Sequence, residues 1–225
     1  MHATRLIIVR HGHTGGNEEG LGVRIAGWTD LPLSQLGWEQ ARALARRFAA
    51  ASPAAAIVSS PLRRAVDTAR ALAAPHLGPL LLDEGLREIH CGEVDGMPMG
   101  EAQARYPGAW AANLRQDDED FGWPGGETYR AFRARCLAAV ERVAAEHAGE
   151  RVVVVTHAGV ISQVLGFLHG RIAAEWESFR PGNGSVTELA WEAGRGTLVR
   201  FDDRSHLDGV SAAPERPERA GAPRD

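Results

Sequence analysis

The chain has 225 residues, 44% of them hydrophobic and 24% charged, with a formal net charge of -4. That length suits one globular domain with a sizeable core, the acidic balance gives no sign of the basic face that nucleic acid requires, and no apolar run reaches the ~20 residues that span a bilayer. All 25 basic side chains are arginine, which excludes Schiff-base chemistry and a lysine-bearing phosphate loop.

"RLIIVR" (5–10) is a short β-branched run followed by glycines and reads as a buried strand. The apolar part of "MHATRLIIVRHG" is too short for a signal peptide and no small-residue cleavage site follows it. Stretch 34–51 has the spacing of a helix with Ser34 as its N-cap. "AAIVSS" (55–60) is a second strand, 61–74 a helix with Pro61 at its first position, and 79–86 a third strand. Residues 91–127 are irregular, with two or three helical turns, and form a cap-like insertion. A long amphipathic helix over 127–149 ends at Gly149, and the unbroken valines of 151–159 predict a strand buried on both faces. A helix over 160–170 and a hairpin-like pair of strands follow, and from 205 to 225 the Pro, Arg, Ala and Asp content predicts a disordered tail. The expectation is a single domain over 1–204, an α/β fold built as a three-layer α/β/α sandwich on a mainly parallel central sheet. Ligands in such folds sit beyond the carboxyl ends of the strands.

Three strand–helix units carry chemistry at that edge: Arg10-His11-Gly12, Pro61-Leu62-Arg63-Arg64 and Thr156-His157-Ala158-Gly159. Parallel strands would bring Arg10, His11, Arg63 and His157 together, with Gly12 and Gly159 allowing backbone to approach a ligand. Two arginines, two histidines and free amides suit a compact dianion, most simply phosphate. A neutral imidazole there could attack phosphorus, arginines would hold the transferring group, and a carboxylic acid would protonate the leaving alkoxide.

The same residues carry a family resemblance. "VRHGHTGGN", "SSPLRRAVDTA", "LREIHCGEVDG", "PGGETYRAFRAR" and "VVVVTHAGVI" resemble, in order, five motifs of the histidine phosphatase superfamily, also called the phosphoglycerate-mutase-like family, over about residues 5–190. The resemblance implies that His11 becomes phosphorylated and Glu88 protonates the leaving group. It implies that Arg10, Asn17, Arg63 and His157 bind the phosphoryl group, and that Ala26 and Gly27 line the substrate mouth. No metal or other cofactor is implied.

The expected function is therefore a metal-independent phosphomonoester phosphatase acting on a small phosphorylated metabolite, with no nucleic-acid or membrane partner. The alternatives are a cofactor-dependent phosphoglycerate mutase or a non-catalytic phosphate-binding relative. Between Gly96 and Gly125 only Arg105 and Arg115 stand against Glu101, Asp117, Asp118, Glu119 and Asp120, an acidity that argues against a mutase's highly anionic substrate. Glu93 is the reserve acid, and Glu93 and Asp95 otherwise read as solvated loop residues. His13 departs from the family pattern, and metal binding by the H-x-H pair is disfavoured for want of suitably spaced partners. Trp110, Phe121 and Trp123 either cap the pocket or pack among themselves. Two cysteines, Cys91 and Cys136, are too few for a disulfide scaffold and point to the cytoplasm. The oligomeric state stays open, a dimer being one option.

Overall fold

A computed structural model describes residues 3–17 and 23–211. Six strands, β1 (Thr4–Arg10), β2 (Ala56–Ser59), β3 (Leu80–Leu82), β4 (Arg151–Thr156), β5 (Val186–Glu192) and β6 (Arg195–Asp203), form one sheet in the order β3-β2-β4-β1-β5-β6. β3, β2, β4 and β1 run parallel, β5 lies antiparallel to β1, and β6 antiparallel to β5. The result is an α/β fold with a central mixed sheet flanked by helices.

The strand alternation sorts the core. Leu6, Ile8, Val152 and Val154 pack with α5 (Tyr129–Glu146) and α6 (Ala158–Leu168), through Phe132, Val140, Ile161 and Leu165. Ile7, Val9, Val153 and Val155 pack with α1 (Gln35–Ala49) and α2 (Arg63–Leu72), through Leu44, Phe48, Ala65 and Leu72. Consecutive residues of a strand point to opposite faces, so a strand covered on both sides must be apolar throughout. The valine run of β4 meets that demand.

Register then builds the site. Arg10 lies opposite Thr156 and Ser59 opposite Val155. The backbone N–H of His11 donates to Thr156 O at 2.9 Å and that of Ser60 to Val155 O at 2.9 Å. His11, Ser60 and His157 therefore leave the sheet side by side at its carboxyl edge.

Several expectations change. Ser34 caps α1, accepting from Gly37 N, but α2 begins at Arg63 rather than at Pro61. Leu62 is still extended, and the free N–H of Arg63 is taken at 2.7 Å by Asp30 Oδ1 from a preceding loop. β3 spans only three residues, because Asp83 caps the turn Glu84–Leu86 and ends the pairing. The 91–127 insertion contains two true helices, α3 (Met99–Arg105) and α4 (Pro107–Arg115). The predicted tail does not start at 205: Ser205–Leu207 is a 3-10 turn, with His206 Nε2 2.9 Å from Gly184 O and Arg47 of α1 paired to Asp203 at 2.8 Å. The remainder of that stretch, 212–225, lies outside the described residues. No helix among the described residues is long and apolar enough to cross a membrane.

Candidate active site

The two buried imidazoles have their rings 5.1 Å apart. His11 Nδ1 lies 2.7 Å from Gly12 O. A carbonyl can only accept, so Nδ1 carries the proton and Nε2 keeps its lone pair. His157 Nε2 lies 2.7 Å from Ser60 Oγ, which also accepts from Leu62 N at 3.3 Å. Where the serine hydroxyl donates to Nε2, the proton of His157 sits on Nδ1, a buried atom with no partner among the described residues. Burial first, then the charges of Arg64 and Arg10, hold both rings well below the ordinary histidine pKa, and both are neutral at pH 7.

The cations are Arg10 and Arg64. Arg10 donates from Nη1 to Pro181 O at 2.6 Å, and its buried Nε has no partner. Burial lowers its pKa to about 10, which leaves it charged. Arg64 is only 2% exposed and donates to Thr29 O (2.9 Å), Gly27 O (2.7 Å) and Ala26 O (3.3 Å). Neither forms an ion pair among the described residues. Glu88 is the counter-charge that both feel most, and buried guanidinium groups whose hydrogen bonds go to carbonyls only can still take an anion.

Arg63, expected in this group, is not part of it. Its side chain is 60% exposed and pairs with Asp67 on the outer face of α2 at 3.4 Å. One helical residue turns about 100° about the axis, so adjacent arginines face different surroundings. In the stretch Ser59-Ser60-Pro61-Leu62-Arg63-Arg64 it is the second arginine that is buried.

The carbonyls that hold Arg64 are themselves held by Asp95. Its carboxylate accepts from Gly27 N (3.1 Å), Trp28 N (2.5 Å), Thr29 N (3.0 Å) and Thr29 Oγ1 (2.5 Å). Asp95 is thus no solvated loop acid but the anchor of the 26–29 loop, an alignment that no local sequence pattern announces. Asp95→Asn replaces one acceptor oxygen by a donor facing backbone N–H groups. It should raise the inhibition constant of inorganic phosphate about tenfold. A lowered melting temperature with unchanged phosphate inhibition would show that Asp95 supports the fold and not the anion site.

Glu88 lines the cleft that Arg10 also lines. Its Oε2 accepts from Gly159 N at 3.1 Å, in the first turn of α6, and Oε1 from Ile89 N at 3.0 Å. Its carbonyl is fixed by Trp28 Nε1 (2.7 Å) and Arg135 Nη2 (3.1 Å). A Cβ on Gly159 would lie 2.1 Å from Glu88 Oε1, and one on Gly12 would lie 2.6 Å from Gly37 O. The two glycines thus admit the acid and the start of α1, rather than a ligand as expected.

Arg10, Ala26, Glu88 and Gly159 line one cleft of about 470 Å³. Ala26 contributes to its wall. Gly27 packs against Ile89 O, Asp95 and Cys91 instead, where a Cβ would come within 2.4 Å of the carbonyl. Asn17 closes the turn Gly15–Asn17, but its side chain lies outside the described residues. His13 turns toward the start of α1, Nδ1 2.8 Å from Ser34 Oγ. Cys91 lines the cleft as a neutral thiol, its pKa pushed up by burial and then by Asp95 and Glu88. Trp110 and Trp123 also line it, while Phe121 packs behind them against Trp123 and Tyr129. In the acidic run 117–120, Glu119 accepts from Ala173 N at 2.7 Å and Asp120 pairs with Arg130 at 2.8 Å, so these two tie the insertion down.

A family model described as the histidine phosphatase superfamily (branch 1) matches residues 6–204. The chain is 32% identical over 208 residues to a metal-independent phosphoserine phosphatase of Arabidopsis thaliana, covering 92% of this chain and 84% of the relative. It is 37% identical over 198 residues to a glucosyl-3-phosphoglycerate phosphatase of Mycolicibacterium vanbaalenii, covering 84% and 85%. Among solved structures, YhfR of Bacillus stearothermophilus superposes with a TM-score of 0.82 at 32% identity, over 91% of this chain and all of that one.

Proposed function

The chain belongs to the histidine phosphatase superfamily and is a phosphatase, and on that footing we propose that it hydrolyses small phosphomonoesters through a phosphohistidine on His11, with Glu88 as general acid. The observation that carries this is the unengaged Nε2 of a neutral, buried His11 that feels the charges of Arg64 and Arg10, two buried arginines with no ion pair among the described residues. Nε2 attacks phosphorus in line as the P–O bond to the alcohol breaks, and the leaving oxygen takes the proton of Glu88. Arg10, Arg64 and Nδ1–H of His157 hold the phosphoryl oxygens and stabilise charge as it spreads. Glu88, now ionised, accepts a proton from a water that attacks the phosphohistidine, releasing phosphate and restoring His11. Ser60 acts through His157, as the group that fixes its tautomer. Cys91 and Cys136 are free and buried, which supports a reducing, cytoplasmic setting.

The test is an alkaline quench during turnover of p-nitrophenyl phosphate without added metal, followed by peptide mass mapping. One phosphoryl group on the His11 peptide, stable in alkali and lost in acid, is expected. A phosphoryl group on any other side chain, or steady turnover with none on the enzyme, refutes the proposal.

A further inference from the structure

The cleft is larger than a phosphoryl group requires, so its walls select the alcohol. Beyond Glu88 those walls are mainly aromatic and apolar: Trp110, Trp123, Tyr129 and Trp176, with Met99 and Leu114 at the rim. Met99 and Leu114 are 42% and 54% exposed, and α4, which carries Trp110 and Leu114, buries no residue fully. Trp123 and Tyr129 are buried in two small clusters against which Trp110 and Trp176 pack, so the aromatic walls are held in place by packing. Core packing does not account for Met99 and Leu114, and large apolar groups left open around a cleft mark a surface meant to be covered.

The Gln163 amide and the Asn113 side-chain oxygen of the same walls are already engaged. Gln163 accepts from Arg133 Nε at 2.8 Å and donates to Ala173 O at 2.8 Å. Asn113 Oδ1 accepts the Tyr129 hydroxyl. Apart from Arg10 and Glu88, the lining charges are Glu177 and Arg180, paired with each other at 2.9 Å. Among the described residues, no cation of the lining is left to meet a carboxylate on the alcohol. A carboxylate placed here would lose water against ring faces that carry partial negative charge.

We propose that the leaving group is a neutral, bulky alcohol with an aromatic or apolar body, and that the cleft discriminates against phosphomonoesters bearing a carboxylate. The proposal rests on the phosphatase mechanism above and adds the substrate class. Its test compares kcat/KM, without metal, for 2-phenylethyl phosphate, O-phosphoserine and 3-phosphoglycerate. All three release aliphatic alkoxides, so differences report the walls more than the leaving group. A preference of about tenfold or more for 2-phenylethyl phosphate is expected. Trp110→Ala, at a half-buried position, should cut that preference about three- to tenfold, through KM; Leu114→Ser should act in the same direction. Equal or better turnover of either carboxylate ester overturns the proposal, as does a Trp110→Ala variant that slows all three substrates by one factor. A phosphoenzyme on His11 together with carboxylate preference would sink this inference alone. Absence of any phosphoenzyme would sink the mechanism and this inference with it.

Discussion

His11→Ala is expected to lower kcat/KM for the best phosphomonoester by about four orders of magnitude or more, with the melting temperature little changed. The imidazole is the only nucleophile available to the transferring group in the proposed mechanism, whereas its structural role is slight. Its one ring hydrogen bond is to the adjacent Gly12 carbonyl, and the contacts that join β1 to β4 and to Gly184 are made by its backbone, which alanine retains. The pH profile of the unmodified enzyme supplies a second reading. Burial, Arg64 and Arg10 depress the His11 pKa below its ordinary value of 6.5. As pH falls through 6.5 the ring of a free histidine would gain a proton, but this one stays neutral and Nε2 stays nucleophilic. Only below the lowered pKa does protonation remove the lone pair, so the acid limb of kcat/KM belongs below pH 6.5. Steady-state kinetics on matched substrate and buffer series measure both effects. Activity of His11→Ala within about a hundredfold of the unmodified enzyme would rule out His11 as the nucleophile.

The sequence made legible what period and punctuation encode. The β-branched run of 5–10 marks a buried strand and the valines of 151–155 a strand buried on both faces, and parallel pairing of those strands brings their ends to one edge. Hence the sequence alone makes His11, Arg10 and His157 neighbours. What escaped depends on contacts between distant segments. Asp95 reaches back 68 residues to Gly27, Ser60 turns its hydroxyl to His157 across the β2–β4 pair, and Asp30 closes the start of α2. None of these leaves a periodic trace, because each is one polar side chain meeting backbone or ring in irregular chain. The turn Ser205–Leu207 escapes for the same reason: a polar, proline-rich composition continues past it, but Arg47 and Gly184 supply its partners from segments distant in sequence. β3 was overestimated because leucines at 80–82 look buried, yet Leu81 and Leu82 sit exposed at the sheet edge.

The adjacent pair Arg63 and Arg64 offers the sharpest separation of roles. Arg64→Ala should lower kcat/KM by about three orders of magnitude, the scale of losing a preorganised charged donor at a transferring group. Arg63→Ala should stay within about threefold, since its exposed guanidinium meets only Asp67 and surface ion pairs contribute little. Arg64 also satisfies the carbonyls of Ala26, Gly27 and Thr29, so its removal leaves acceptors without partners and loosens the loop that Asp95 anchors. Arg64→Lys separates the two contributions. It retains a buried positive charge beside the histidines but loses the planar fork that can bind carbonyls and phosphate together. The acid limb should therefore stay low in Arg64→Lys and move toward pH 6.5 in Arg64→Ala, because the alanine removes a charge that depresses His11. Inhibition by inorganic phosphate should weaken in both. If Arg63→Ala lost activity to the same degree as Arg64→Ala, or if the acid limb failed to move in Arg64→Ala, the anion site would not be the one built on Arg64.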